Sequence, residues 1–324
     1  MLILNRDDLT QALPMADAID ALEHAFRLHT EGQSVMPIRG VTETDSGLLL
    51  TMPAALEGDS QGLAVKVVSV FPENAQKNLP LIHASILLNH AETGKPLALM
   101  EGGYLTGLRT GAASGVAAKY LAADDAEVLG VIGCGYQAFF QVWAMSCVRS
   151  FEQVMLFNRS PSKAEALKQK LASELNLNAT VIKSASEVAS QSNVLITATG
   201  STAPVFDSHD LNKGCTVIAI GAFTPEMRET DDHFVQQASI FVDEREAALH
   251  EAGDLLIPMK AGLIGENDIK GDLGELVTGK VSGRQSADEW ILFKSVGLAI
   301  EDVAAAQLAY HNARQQGLGT EVDF

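Results

Sequence analysis

The chain has 324 residues, 23 of them basic and 41 acidic, giving a formal net charge of −18, with 47% hydrophobic and 20% charged residues. So acidic a balance opposes binding to nucleic acid or an anionic membrane, and the length exceeds what one hydrophobic core usually serves, so two globular domains are expected. Cys134, Cys147 and Cys215 show neither disulfide nor metal-ligand spacing, the N-terminus with Asp7, Asp8 and Asp17 lacks a signal-peptide pattern, and no apolar run approaches a membrane span; together these predict a reducing, cytoplasmic setting.

Residues 7–30 carry Leu9, Leu13, Ala16, Ile19, Leu22 and Phe26 at helical spacing and read as one helix. Residues 31–40, with Met36, Pro37 and Arg39, break the pattern. Residues 48–52, 63–71, 84–88 and 97–100 read as strands with turns between them, a mixed or antiparallel sheet. In the second of these, Ala64, Val68 and Val70 share the face of Lys66, and Val65, Val67 and Phe71 lie on the other. A lysine so placed is costly unless paired, which leaves an edge-strand lysine reaching solvent or a site for an anion. His83, among Leu79, Leu81, Ile82 and Ile86, reads as a core histidine. Residues 104–120 form a helix of small side chains, with Gly107, Gly111 and Gly115 four apart. Each glycine costs about 1 kcal/mol there, so a backbone, a cofactor or a partner subunit should approach closely. Arg109 is the only charge between Gly102 and Ala118. It reads either as half of a structural ion pair or, with Arg39 and Lys66, as one of three cations converging on a carboxylate.

An apolar strand at 128–132 then runs into Gly133-Cys-Gly135-Tyr136-Gln137-Ala138, followed by a helical stretch at 139–148. Strand, glycine turn and helix are the setting of a dinucleotide fingerprint. Gly133 permits the tight turn, Gly135 lets a pyrophosphate approach, Ala138 keeps helix and strand close, and the helix N-terminus favours phosphate. The alternative is a tight turn with no ligand. A second strand, 154–157, ends at Asn158-Arg159-Ser160, 25 residues after Gly133, where the ribose is recognised in such folds. No carboxylate stands there, and Arg159, with Ser160 and Lys163, favours NADPH, with NADH possible; otherwise Arg159 is a solvated loop residue. A strand at 194–200 ends in Thr197, Ala198 and Thr199, beside the expected nicotinamide. A helix at 163–175, a strand residue at Ile182, a short helix at 185–190 and strands at 216–220 and 240–243 continue the alternation of a parallel α/β sheet. Residues 249–283 are glycine-rich and unassigned, and 290–308 read as one final helix with Ser295 and Gly297 where a ring could approach.

Met36-Pro-Ile-Arg39, Met52-Pro53, Lys66, Thr93-Gly94, Leu105-Thr-Gly-Leu-Arg-Thr110, the glycine turn, Asn158-Arg159, Glu246-Ala-Ala248, Gly253-Asp254, and Phe293-Lys-Ser-Val-Gly297 with Glu301-Asp302 together resemble the ornithine cyclodeaminase/mu-crystallin family. The resemblance spans nearly the whole chain. It implies a discontinuous α+β domain for substrate binding and dimerisation, 1–118 with 300–324, and a Rossmann-type, doubly wound parallel-sheet domain, 119–299. It also implies a homodimer, a substrate carboxylate held by Arg39, Lys66 and Arg109, and a cofactor site that includes Thr110, Gly221, Ala222, Phe223, Ser295, Val296 and Gly297. Lys66 and, from the family match, Asp254 are the candidate catalytic residues. Ornithine cyclodeaminases carry an aspartate where this chain has Phe223, and another where it has Asn158-Arg159; both differences point towards the members that reduce cyclic ketimines. The expected reaction is NAD(P)H-dependent reduction of a cyclic imino acid, 1-pyrroline-2-carboxylate to L-proline or 1-piperideine-2-carboxylate to L-pipecolate. Ornithine cyclodeaminase, alanine-type dehydrogenase, hydroxyproline dehydratase and a non-catalytic NADPH-dependent binder of small molecules remain the alternatives.

Overall fold

A computed structural model describes residues 1–77 and 79–323. The chain separates into one unit of Met1–Ala112 with Leu298–Phe324 and a second of Ala113–Gly297. The first division falls inside the helix Gly102–Leu121, rather than at 118/119, and the second at 297/298, rather than 299/300.

In the first unit, alternating burial builds an eight-stranded sheet in the order Thr320–Glu321, Leu2–Leu4, Pro96–Glu101, Ile82–Asn89, Gly62–Val70, Gly47–Leu56, Ser34–Val35, with Gly40–Thr44 also paired to Gly47–Leu56. All pairs are antiparallel except Leu2–Leu4 with Pro96–Glu101. Strand Gly62–Val70 buries Ala64, Lys66 and Val68 on one face, the period of two that a half-buried strand requires. Helix Ala299–Gln316 packs on the sheet and on helix Met15–Thr30, and its buried Ala304, Ala305, Ala306, Ala309 and Ala313 let the backbones come close. Ile19, Leu22 and Phe26 complete this core.

The single helix read over 7–30 is two, Arg6–Ala12 and Met15–Thr30. Pro14 lacks an N–H and takes an extended conformation, and Asn5 caps the first piece. Strand Gly62–Val70 is central, with Met52 and Ile86 opposite Lys66 on its two neighbours, so the edge-strand reading of Lys66 fails. His83 is exposed rather than in the core, because Ile82–Asn89 becomes buried only from Ile86 onward.

The second unit is an eight-stranded sheet, parallel throughout, in the order Thr180–Val181, Gln153–Phe157, Val128–Ile132, Val194–Thr197, Thr216–Ala219, Ile291–Lys294, Ser239–Val242, Ile269–Asp272. Its central strands are short apolar runs buried on both faces, as a sheet covered by helices demands. Strand order reverses between Val128–Ile132 and Val194–Thr197, the switch point where such sheets bind ligands. The helix read over 290–308 is instead a fully buried strand, Ile291–Lys294, a loop, and a helix starting at Ala299. Gly297 at φ +81° breaks any helical path between them. The unassigned 249–283 region holds helix Gly253–Lys260, strand Ile269–Asp272 and helix Leu273–Val277. Among the described residues, no helix is long and apolar enough to cross a membrane.

Candidate active site

In the first unit, Lys66 and Arg109 meet at the start of the C-terminal helix. Lys66 Nζ lies 2.7 Å from Asp302 Oδ2. Arg109 donates from Nε to Asp302 Oδ1 (3.0 Å) and from Nη1 to Glu301 Oε2 (2.7 Å). Glu301 Oε1 also accepts from the backbone N–H of Leu298 at 3.0 Å. The helix N-terminus favours both carboxylates. Lys66 is 2% exposed, Glu301 0% and Asp302 1%, so this is a buried quartet of two cations and two anions. Burial and the neighbouring Arg109 lower the Lys66 pKa to about 8, against the opposing pull of Asp302 and Glu301. Burial also disfavours the Arg109 charge, but the two carboxylates outweigh it and hold the guanidinium more firmly protonated than usual. Arg109 is thus half of a structural ion pair, and Lys66 meets it on the shared carboxylate of Asp302. Arg39 is half-buried and immediately precedes Gly40. Gly40 pairs with Thr51, next to the Met52 that faces Lys66. The carboxylate partners were not anticipated as partners; the one local signal is two consecutive acids opening an alanine-rich helix.

In the second unit, the candidate cofactor residues leave the C-terminal ends of the parallel strands. Gly133 has φ +99°, and a Cβ there would meet Ala198 O and Thr199 Cγ2, each at 2.6 Å, so only glycine passes this turn. Gly135 precedes helix Tyr136–Val148 with no side-chain cap, and a Cβ there would meet nothing within 4 Å. Open space before uncapped N–H groups fits a dinucleotide pyrophosphate. The helix starts at Tyr136, three residues earlier than its apolar pattern suggested; Tyr136 is exposed, Gln137 half-buried and Ala138 packed inside. Asn158 uses both ends of its amide within the protein, accepting from Cys134 N–H and donating to Ser160 O, each at 3.0 Å. Arg159 and Lys163 are exposed beside it and Ser160 is half-buried. Thr110, in the first unit, donates its hydroxyl to Thr106 O at 2.8 Å.

Buried carboxylates fix the remaining loops. Glu229, 0% exposed, accepts from Thr199 N–H (2.6 Å), Thr199 Oγ1 (2.8 Å), Thr197 Oγ1 (3.0 Å) and Gly221 N–H (2.8 Å). Its neighbours place Ala198 and Ala222 along the same edge, while Phe223 is exposed. Asp254 Oδ1 accepts from Glu229 N–H, Thr230 N–H and Thr230 Oγ1 at 2.7, 2.9 and 2.8 Å, and Oδ2 lies 3.0 Å from Lys294 Nζ. Asp243 Oδ2 accepts from Ser295 Oγ, Val296 N–H and Gly297 N–H at 2.9, 2.7 and 2.8 Å. Burial pushes the Glu229 and Asp243 carboxyls up, whereas for Asp254 burial is outweighed by Lys294 and the donated hydrogen bonds, and its pKa is lowered. Glu229, Asp243 and Lys294 escaped the reading of the sequence. Lys294 follows three apolar residues and carried the same signal as Lys66, but its assignment to a helix hid it.

A glycine turn at the switch point of a parallel sheet, with the neighbouring loops fixed by buried carboxylates, defines a Rossmann-type dinucleotide-binding protein. The chain belongs to the ornithine cyclodeaminase/mu-crystallin family, whose model matches residues 1–317. It is 38% identical over 327 residues to a Delta(1)-pyrroline-2-carboxylate reductase of Bacillus cereus, with 100% of each chain covered. The Delta(1)-pyrroline-2-carboxylate reductase of Thermococcus litoralis, solved in complex with NADH and L-proline, is 43% identical, with 99% of this chain and 100% of that one covered and a TM-score of 0.96. An archaeal alanine dehydrogenase dimer with bound NAD is 38% identical, with 100% and 99% covered and a TM-score of 0.93.

Proposed function

We propose that the chain reduces cyclic ketimines with NAD(P)H, converting 1-pyrroline-2-carboxylate to L-proline, 1-piperideine-2-carboxylate to L-pipecolate, or both. The carrying observation is the buried Lys66–Arg109 pair in a chain 43% identical to an enzyme solved with NADH and L-proline. Arg39, Lys66 and Arg109 would bind the substrate carboxylate, the two arginines offering the planar fork that suits it. Because Lys66 and Arg109 already have acidic partners, they supply directed donors rather than excess positive charge. When bound, the reduced nicotinamide supplies hydride to the imine carbon. In this reading Lys66 Nζ gives the proton needed at nitrogen, a step that general acids accelerate by about 10²–10⁴-fold. Asp254 was the other catalytic candidate. Its contacts with Glu229, Thr230 and Lys294 support a role in holding loops rather than in proton transfer. Exposed Ile3, Val35, Val41, Leu49, Leu81 and Ile82 in the first unit support a homodimer.

The test is to follow NADPH oxidation on adding each cyclic imine, with pyruvate plus ammonia and no substrate in parallel. Oxidation with the imines alone is expected; oxidation only with pyruvate and ammonia would instead make the chain an alanine dehydrogenase, the second reading that the archaeal neighbour supports. Binding of NADPH without oxidation of any kind would leave a non-catalytic binder. L-ornithine and 3-hydroxyproline, tried alongside, expose the family activities that leave no net redox change.

For the cofactor, we propose a preference for NADPH. Asn158 is committed to the glycine turn, and positions 158–160 carry Asn, Arg and Ser rather than a carboxylate that would repel a 2′-phosphate, so Arg159 is the residue to pair with it. Arg159→Ala is expected to raise the KM for NADPH about tenfold, the low end for a charge-assisted contact at an exposed residue, and to leave that for NADH nearly unchanged. Equal effects on both cofactors, or none on either, would reject the preference.

A further inference from the structure

Two cations buried side by side repel, and what holds Lys66 and Arg109 together is a single carboxylate. Asp302 places Oδ2 2.7 Å from Lys66 Nζ and Oδ1 3.0 Å from Arg109 Nε. Glu301, one residue earlier on the same helical turn, touches Arg109 and the Leu298 N–H. The neighbouring strands face Lys66 with apolar Met52 and Ile86, helix Gly102–Leu121 with Arg109, and helix Ala299–Gln316 with Asp302 and, with a weaker pull, Glu301. The proton affinity of Lys66 is therefore set by burial and Arg109 on one side and by these two acids on the other.

We propose that Asp302 is the positioning residue of the reaction: it holds the Lys66 ammonium charged and aimed for proton delivery to the imine nitrogen, and it keeps Arg109 alongside to receive the carboxylate. This rests on the ketimine-reductase reading. Reduction of the C=N bond adds hydride, from the dinucleotide, to carbon and a proton to nitrogen; the proton leaves Lys66 Nζ, and one from water restores the ammonium. The quartet is formally neutral before substrate arrives, so the substrate carboxylate adds one negative charge and raises the proton affinity of Lys66. The falling limb of kcat, which reports the complex, should then lie at higher pH than that of kcat/KM, which reports the free enzyme.

Lysine-labelled, substrate-free enzyme gives the Lys66 titration by NMR, its signal assigned by its loss in Lys66→Met, and kinetics with 1-pyrroline-2-carboxylate give the pH profile. In Asp302→Asn the Lys66 midpoint is expected to fall by a pH unit or more. The falling limb of kcat/KM should move with it, and activity at pH 7 should drop about twofold for a fall of one unit and about tenfold for a fall of two. Glu301→Gln, which removes the acid with the weaker pull on Lys66, should move the midpoint less and act mainly on KM. Asp302→Glu keeps the charge but displaces it; should Asp302→Asn not fold, a shifted midpoint together with a raised KM in Asp302→Glu supports the role, and wild-type values of both overturn it. A folded Asp302→Asn enzyme with an unmoved Lys66 midpoint, or an unmoved pH limb, overturns the proposal. A moved midpoint in a protein whose wild type reduces neither imine would sink the substrate reading and the proton-delivery step while supporting the hold of Asp302 on Lys66.

Discussion

Lys66→Met is expected to lower kcat/KM for 1-pyrroline-2-carboxylate by about three orders of magnitude, by removing both a proton donor and a charge-assisted contact to the carboxylate. The methionine stem keeps the apolar contact surface between Met52 and Ile86, and Asp302 keeps Arg109 as its partner. The folded state should therefore survive, which circular dichroism and a thermal melt would verify. Lys66→Arg separates the two roles: it retains a cation for the carboxylate, so KM should rise little, but it does not give up a proton at neutral pH, so kcat should fall. The pH dependence has a definite sign. With its pKa lowered to about 8, Lys66 is an ammonium below that pH and an amine above it. Reduction of the imine, which needs the ammonium, should decline as pH rises through about 8, and oxidation of L-proline, which needs the amine, should increase over the same range. Both limbs should disappear in Lys66→Arg. Wild-type kinetics in Lys66→Met would remove Lys66 from the mechanism.

Lys66 and Arg109 were legible as anomalies because charge in an apolar run is a local property that needs no knowledge of the fold. Their partners were not, because Arg109 meets Glu301 and Asp302 across 192 and 193 residues, and no periodicity records such a pairing. The same distinction governs the cofactor residues. The turn at Gly133 could be read because glycine is required there by the chain's own geometry, and the alternation of strands and helices announced a parallel sheet. Insertion of the parallel sheet's last strand in sequence, Ile291–Lys294, between Thr216–Ala219 and Ser239–Val242 is a choice of topology with no local trace. Four apolar-lined residues before a helix read as its first turn when nothing in the sequence says that a sheet has room for them. Pro14 shows the opposite failure: the signal was local and available, but the apolar spacing on either side continued in phase and outweighed it.

That misread strand carries the second large effect. Lys294→Met is expected to destabilise the protein by about 3–5 kcal/mol, because it strands the Asp254 carboxylate in an interior from which it cannot reach water. Lys294 and Asp254 are each 0% exposed and lie 3.0 Å apart. For a unit of this size the loss corresponds to a fall in Tm on the order of 10 °C. Adding Asp254→Asn should recover much of it, since the amide oxygen can still accept from Glu229 and Thr230 without leaving a buried charge; the double-mutant cycle isolates the pair. Asp254 has a lowered pKa, so its ion pair contributes fully above the ordinary carboxylate value of 3.8 and is lost as pH falls through its own lower value. The gap between wild type and Lys294→Met should accordingly narrow in acid. Function should suffer at one remove. Asp254 holds the backbone at Glu229, and Glu229 holds Thr199 and Gly221, so dinucleotide affinity, followed by fluorescence titration at a temperature where the variant is folded, should fall as well. A variant with wild-type Tm would show that the site tolerates Asp254 without its cation. A lower Tm with unchanged dinucleotide affinity would confine the pair to stability and break the proposed link from Lys294 through Asp254 and Glu229 to the cofactor loops.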